Sequence, residues 1–316
     1  MNRRHFLGSA TLALTGTLFS RNIFANDRLL NKIDIQFFSL PKMLEKDLPG
    51  TLAMLQKIGY KEVELYGPYP FSTAATKERW SAITPALGFK GSGYFGYTAA
   101  EMKSMLNDHG LTAPSMHTDL DTLQTNMDKI AEASHILGHE YVILPAIPEE
   151  KRKTLDDYKK MADAFNKIGE SAKKEGVKFG YHNHGYGWKE VEGQIPIKLI
   201  LDGTDPALVF LQMDLFWTVA AGANPVSLFQ DYKGRYRLMH VKDMSKNARF
   251  SGDGGDAKQW IELFPLMTSA GSGVLDLKTI LTKAKENGME HFIVEQDVVA
   301  DPEVSLRKSF DYLAAL

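Results

Sequence analysis

From residue 33 onward, short apolar runs alternate with longer stretches in which apolar positions recur every three or four residues. The short runs predict strands at 33–38, 62–66, 113–117, 140–145, 177–182, 208–214, 236–241 and 292–296. Amphipathic helices are predicted between them, over 45–58, 98–108, 122–137, 154–175, 196–202, 225–233, 276–287 and 302–315. Eight strand–helix units in succession predict an α/β fold, a (β/α)8 barrel. Gly59, Gly110, Gly138, Gly176 and Gly288 each fall where a helix should stop, the position at which left-handed backbone angles favour glycine. An open doubly wound sheet is the alternative, but no glycine-rich fingerprint follows the first strand and no composition shift divides the chain. The stretch 244–274 reads as a long loop with some helix, and its glycine runs at 252–255 and 271–273 read as turns.

The first 25 residues break the pattern. Arg3-Arg4, a weakly apolar run to Ser20 and then Ile23-Phe24-Ala25 predict a signal peptide of the twin-arginine type, cut after Ala25. The expectation is therefore a single barrel domain over 26–316 that is exported to the periplasm, with no membrane anchor once the signal is removed. The whole chain of 316 residues carries 37 Lys plus Arg against 39 Asp plus Glu. Loss of the segment removes three arginines and no acid, which leaves the remainder at −5. Such a charge argues against nucleic acid as a partner. There is no cysteine, so disulfides, thiolate zinc sites and thiol nucleophiles are excluded, and any metal must be held by His and carboxylates.

In a barrel of this kind the reacting groups sit at the C-terminal ends of strands, where alternate residues point inward. The fifth to eighth predicted strands end on His182, Asp214, His240 and Glu295. Four ionisable groups facing one another inside a barrel require a cation or mutual hydrogen bonds. A nitrogen and oxygen set without sulfur suits one divalent ion, Mn2+, Zn2+, Co2+ or Mg2+. His184 shares the face of His182, Glu64 and His117 are inward-facing on the second and third strands, and Lys242 closes the seventh. Tyr66, Phe95, Trp188 and Trp217 offer flat aromatic surfaces.

The motifs Val63-Glu64-Leu65-Tyr66, Tyr181-His182-Asn183-His184, Asp214 with Ala221-Gly222-Ala223-Asn224-Pro225, His240-Val241-Lys242-Asp243, Gly271-Ser272-Gly273-Val274-Leu275-Asp276 and Val294-Glu295-Gln296-Asp297 together resemble the xylose isomerase-like TIM barrel superfamily. The branch they resemble is that of the sugar phosphate isomerases and epimerases, over nearly all of 30–316. The resemblance implies one divalent metal on Asp214, His240 and Glu295, with His182 where the family has its first Glu. Trp217 replaces a His that often follows the Asp. It further implies proton abstraction beside a sugar carbonyl through a metal-stabilised enediolate. Glu295 is then ligand and base. His184 and Glu64 are candidates for the opposite acid or base, Lys242 for neutralising an oxyanion, and His117, Tyr66, Trp188 and Trp217 for holding a small carbohydrate.

Because the family's first Glu is absent, a lyase or hydratase acting on keto-sugars of the 3-keto-glycoside type is the close alternative. A glycosidase would need Glu64 and Glu295 as its carboxylate pair. A periplasmic sugar-binding protein would keep the aromatics and need no metal.

Overall fold

The computed structural model describes residues 28–297 and 299–316, so the expected export signal lies outside the described residues. Eight parallel strands close into a barrel: β1 (Asp34–Gln36), β2 (Glu62–Tyr66), β3 (Thr112–His117), β4 (Tyr141–Leu144), β5 (Lys178–His182), β6 (Val209–Asp214), β7 (Tyr236–Val241) and, after a small ribbon of β8 (Asp243–Met244) and β9 (Met267–Thr268), β10 (His291–Val294). Neighbours in the ring are neighbours in the chain, and β10 returns beside β1 to close it. The register pairs Asp34 with Ile293 across that closing seam and with Glu62 on its other side.

The strands interdigitate inside and pack outward against helices, and nearly all their residues are buried. That two-sided burial explains the almost continuous apolar runs. Helix Leu155–Lys174 shows how local chemistry places the outer layer. Thr154 and Asp157 form a reciprocal cap at its start, and Tyr158, Met161, Phe165, Ile168 and Ala172 form its buried stripe. The five predicted helix-stop glycines all have positive φ, between 62° and 125°. At Gly59 a side chain is doubly excluded, because a Cβ would also lie 2.4 Å from the Phe310 ring.

Several predicted elements need correction. The helix over 45–58 is two, Pro41–Lys46 and Leu48–Ile58, broken at Asp47, whose side chain caps the second. The helix over 122–137 likewise divides at Asn126. Ala74–Leu87 is a helix that the hydrophobic pattern misses, since only Thr76 of its residues is buried. Leu215–Ala220 escapes the pattern for the opposite reason, being buried on nearly every side. The 244–274 segment is a long loop with some helix, as its sequence predicts. It contains the β8–β9 ribbon and helix Ala257–Leu263. Its glycine turn is held by Asp243, whose carboxylate accepts the backbone N–H groups of Gly271, Gly273 and Leu275. Among the described residues no helix is long and apolar enough to cross a membrane.

Candidate active site

The C-terminal mouth of the barrel contains a connected network of buried polar side chains. Its foundation is Glu64, fully buried in the middle of β2. One of its oxygens accepts from Gln36 Nε2 at 2.7 Å and lies 2.6 Å from His240 Nε2 and 3.0 Å from His117 Nε2. The other accepts from Ser115 Oγ at 2.6 Å and Gln212 Nε2 at 2.8 Å. Burial pushes the Glu64 carboxyl up, but the imidazoles of His117 and His240 outweigh it and hold the group well below the usual range. Both oxygens are committed, so Glu64 orients His117 and His240 and has no lone pair left facing a substrate.

His240 sits between two carboxylates, its Nδ1 2.6 Å from Glu295 Oε2 and its Nε2 2.6 Å from Glu64. Burial alone would lower its pKa, yet the two acids raise it to about 10. Beside it, the Lys242 ammonium lies 2.5 Å from Glu295 Oε2, 2.7 Å from Asp297 Oδ2 and 3.0 Å from Asp214 Oδ2. Burial pushes Glu295 up, while Lys242 and His240 hold it well below the ordinary carboxylate range. Asp297 is raised to about 6, because its burial exceeds what Lys242 returns.

Asp214 serves two functions at once. Its Oδ1 accepts from Trp217 N at 3.0 Å and so caps helix Leu215–Ala220. Its Oδ2 is buried, faces Lys242 outside hydrogen-bond geometry, and has His182 Nε2 at 3.7 Å. His182 donates through Nδ1 to Gln212 Oε1 at 2.9 Å. Burial, followed by the neighbouring imidazoles and Lys242, holds His182 neutral, well below its usual pKa.

The donor atoms of Asp214, His240 and Glu295 all lie within 4.8 Å of one another, and those of His117, His182 and His240 do likewise. The under-bonded Asp214 Oδ2 and the mixed set of carboxylate oxygens and imidazole nitrogens fit a divalent ion. His184 completes the site beside His182, with ring centroids 5.0 Å apart, and burial with Lys242 pushes it down to about 3.

The aromatic residues divide into three places. Trp217 is buried, stacks on Phe250 at 5.5 Å and lies 5.8 Å from the Lys242 nitrogen, forming a wall of the site. Trp188 instead lines a neighbouring cavity of about 200 Å³ with Gly185, Arg249, Phe250 and Asp253, which none of the clustered acids or Lys242 lines. Tyr66 gives its hydroxyl to Gly91 O at 2.8 Å and packs edge-on against Phe38 and Phe95, so Tyr66 and Phe95 are packing residues here. Sequence reasoning passes over Gln212 and Asp297. Both are readable, because they stand two residues from Asp214 and Glu295 and must share their inward face.

An eight-stranded parallel barrel with this polar mouth defines a class of metal-compatible α/β barrels. More narrowly, the chain belongs to the xylose isomerase-like TIM barrel family, whose sequence profile matches residues 52–316. An inosose dehydratase from Clostridium beijerinckii is 28% identical over 165 residues, covering 50% of this chain and 51% of the relative. The chain thus spans about half the length of such curated relatives. The crystal structure of a sugar phosphate isomerase/epimerase from Parabacteroides distasonis matches 90% of this chain and 93% of its own at 25% identity, with a TM-score of 0.70. The IolI protein, crystallised with a zinc atom, shares the fold at a TM-score of 0.60 and 16% identity, over 90% of this chain and 95% of its own.

Proposed function

We propose that this chain is a metal-assisted lyase of the dehydratase type, which removes the proton beside the carbonyl of a keto-sugar or cyclic keto-polyol and expels a β-hydroxyl as water. The observation that carries this reading is the one-sided distribution of acid and base. Glu295, Lys242 and Asp297 stand together on the β7 and β10 side, whereas the β3 and β5 side presents only imidazoles, of which His182 and His184 are held neutral. Epimerisation through two opposed bases needs a matched acid on the far side, and elimination does not.

A divalent ion on Asp214, His240 and Glu295, with His182 adjacent, would supply Lewis-acid stabilisation of the enediolate charge. The protein's own groups supply the rest. Glu295 binds its neighbours through Oε2, and Oε1 makes no hydrogen bond among the described residues, so Oε1 takes the proton. Lys242, hydrogen-bonded to Asp297, delivers a proton to the departing hydroxyl. The electron pair left by the C–H bond becomes the new C=C bond as the C–O bond breaks. Glu64 fixes the ring planes of His117 and His240, and Trp217 with Phe250 excludes water from one wall.

The inosose dehydratase relatives support the elimination. The Parabacteroides structure favours isomerisation or epimerisation as the second reading. Export, read from Arg3-Arg4 to Ala25, would make the substrate an unphosphorylated sugar or glycoside. The test is a panel of inososes and free or glycosidic 3-keto-sugars in D2O with added Mn2+, Co2+, Zn2+ or Mg2+, followed by NMR. Loss of water is the expected outcome. Deuterium incorporation that yields only isomers or epimers would replace the lyase with the second reading, and no reaction on any substrate would leave a binding protein.

A further inference from the structure

The same inward faces that build the catalytic mouth carry a second group of ionisable residues at the other end of the barrel. Asp34 precedes Gln36 by two residues and Glu62 precedes Glu64 by two, while His291 lies four before Glu295. Each is the first residue of its strand, and these strands are the consecutive trio β10, β1 and β2. The two groups are separated by the packed side chains of Tyr141, Ile143, Leu238 and Ile293, all fully buried. The mechanism uses none of the three.

We propose that Asp34, Glu62 and His291 form a structural site for a divalent cation of the Zn2+, Mn2+ or Co2+ class. The three donor atoms already lie in a ligand-like triangle. His291 Nδ1 is 2.8 Å from Glu62 Oε2 and 3.4 Å from Asp34 Oδ2, and all three lie within 4.8 Å of one another. Ligands about 2.1 Å from a tetrahedral ion are separated by about 3.4 Å, so little movement is needed. Asp34 supplies the independent observation. It is 1% exposed, and neither of its oxygens has a hydrogen-bond partner. Its only compensation among the described residues is the His291 imidazole at 3.4 Å, outside hydrogen-bond geometry, so an ion that displaces the His291 proton would reach oxygens that no donor holds.

The surroundings leave the position open. Lys32 occupies the other oxygen of Glu62, Oε1, at 2.5 Å, and its side chain is 62% exposed, so it neither blocks Oε2 nor penetrates to Asp34. The ion would displace the proton that His291 otherwise carries, and two carboxylates with the neutral imidazole would then balance its charge. Because β1 and β10 are the first and last strands of the ring, an ion here would tie the closing seam together, and its binding energy would become folding stability.

The experiment is metal titration of the chelated full-length protein with Zn2+ and with Co2+, read by bound-metal analysis, cobalt absorption and melting temperature. Wild type should take two equivalents. Asp214→Asn should keep one, with a melting temperature that still rises by several degrees on metal addition. Asp34→Asn and His291→Gln should each lose one equivalent and most of that rise. If Asp34→Asn does not fold, the Asp214→Asn/His240→Ala chain decides the question by itself, since its lower site is intact. One equivalent with a thermal shift supports the site. No bound ion in that chain, or wild-type stoichiometry in both lower variants, overturns it, and neither result bears on the lyase reading.

Discussion

The two mouths of the barrel use the same residue types to different ends. Each has a lysine 2.5 Å from a glutamate and a histidine raised to about 10 by two neighbouring carboxylates. At the C-terminal mouth the lysine is buried and shared among three acids, and Glu64 uses both oxygens to hold five side chains. At the N-terminal mouth the lysine is exposed and Asp34 is left without a hydrogen bond. Composition therefore does not distinguish a reactive site from a structural one. What does is the number of atoms that hold each charge in place, which is the cost of reorganisation already met before substrate arrives.

The largest separation between the mouths should appear in turnover. Glu295→Gln removes the base and should lower the rate by about a thousandfold, within the range for losing a general base, in protein that circular dichroism shows to be still folded. Glu62→Gln, with the same chemical change at the other mouth, should leave the rate within about twofold. Initial rates on the substrate that the panel identifies would decide this. Equal losses in both variants would end the assignment of chemistry to the C-terminal mouth.

Next comes Lys242→Met. Without its ammonium, Asp214 and Asp297 are left uncompensated and Glu295 keeps only His240, and breaking such a buried pairing typically costs about 3–5 kcal/mol. A divalent ion would occupy the vacated charge position. Denaturation in chelator should therefore show a large loss of stability that added metal largely restores. A loss that metal does not repair would mean that the acids and the ion do not share a position.

Much of this is legible in the sequence, and the part that is not has physical reasons. The eight strands are readable because burial on both faces leaves little but apolar residues, punctuated by helix-ending glycines. The four strand-end groups His182, Asp214, His240 and Glu295 are readable because polar residues in such runs stand out. Gln212 is passed over because an amide carries no charge to draw notice, although it bridges Glu64, His117 and His182. Lys242 leaves both an oxyanion role and an ion pair open, since the pattern shows its strand position but not its partners. The Asp34, Glu62 and His291 group escapes a reading confined to the C-terminal strand ends. Ala74–Leu87 has no apolar stripe, and its Thr73 cap and left-handed Gly88 define it better than its pattern does.

The histidines give a comparison in pH. His184 at the upper mouth is pushed down to about 3 by burial and then Lys242, and His291 at the lower is raised to about 10, Asp34 and Glu62 outweighing its burial. A neutral buried His184 contributes stability that is present above an unfolded pKa of about 6.5 and is lost as pH falls toward 3. A protonated His291 contributes stability that is complete below about 6.5 and is lost as pH rises through about 10. In chelator, His184→Gln should flatten the acid limb of the stability curve and His291→Gln the alkaline limb, each by on the order of 2 kcal/mol. An exchange of the two effects, or no change in either limb, would contradict the placement of the charges.

The smallest effect concerns the lower lysine. Lys32 and Lys242 approach glutamates at the same distance, so distance alone would rank them equal. Solvent decides otherwise. The Lys32 side chain is 62% exposed, and an ion pair reaching into water is screened and must hold a flexible chain in one conformation. Lys32→Met should cost less than about 1 kcal/mol, and raising the salt concentration should erase most of that difference. Lys242→Met should keep its deficit in high salt as long as chelator is present, because counterions do not reach a group with 3% of its side chain exposed. Parallel urea melts of both variants at low and high salt measure this directly. Equal losses with equal salt dependence would mean that burial does not separate the two mouths, and the comparison would have to be rebuilt on geometry alone.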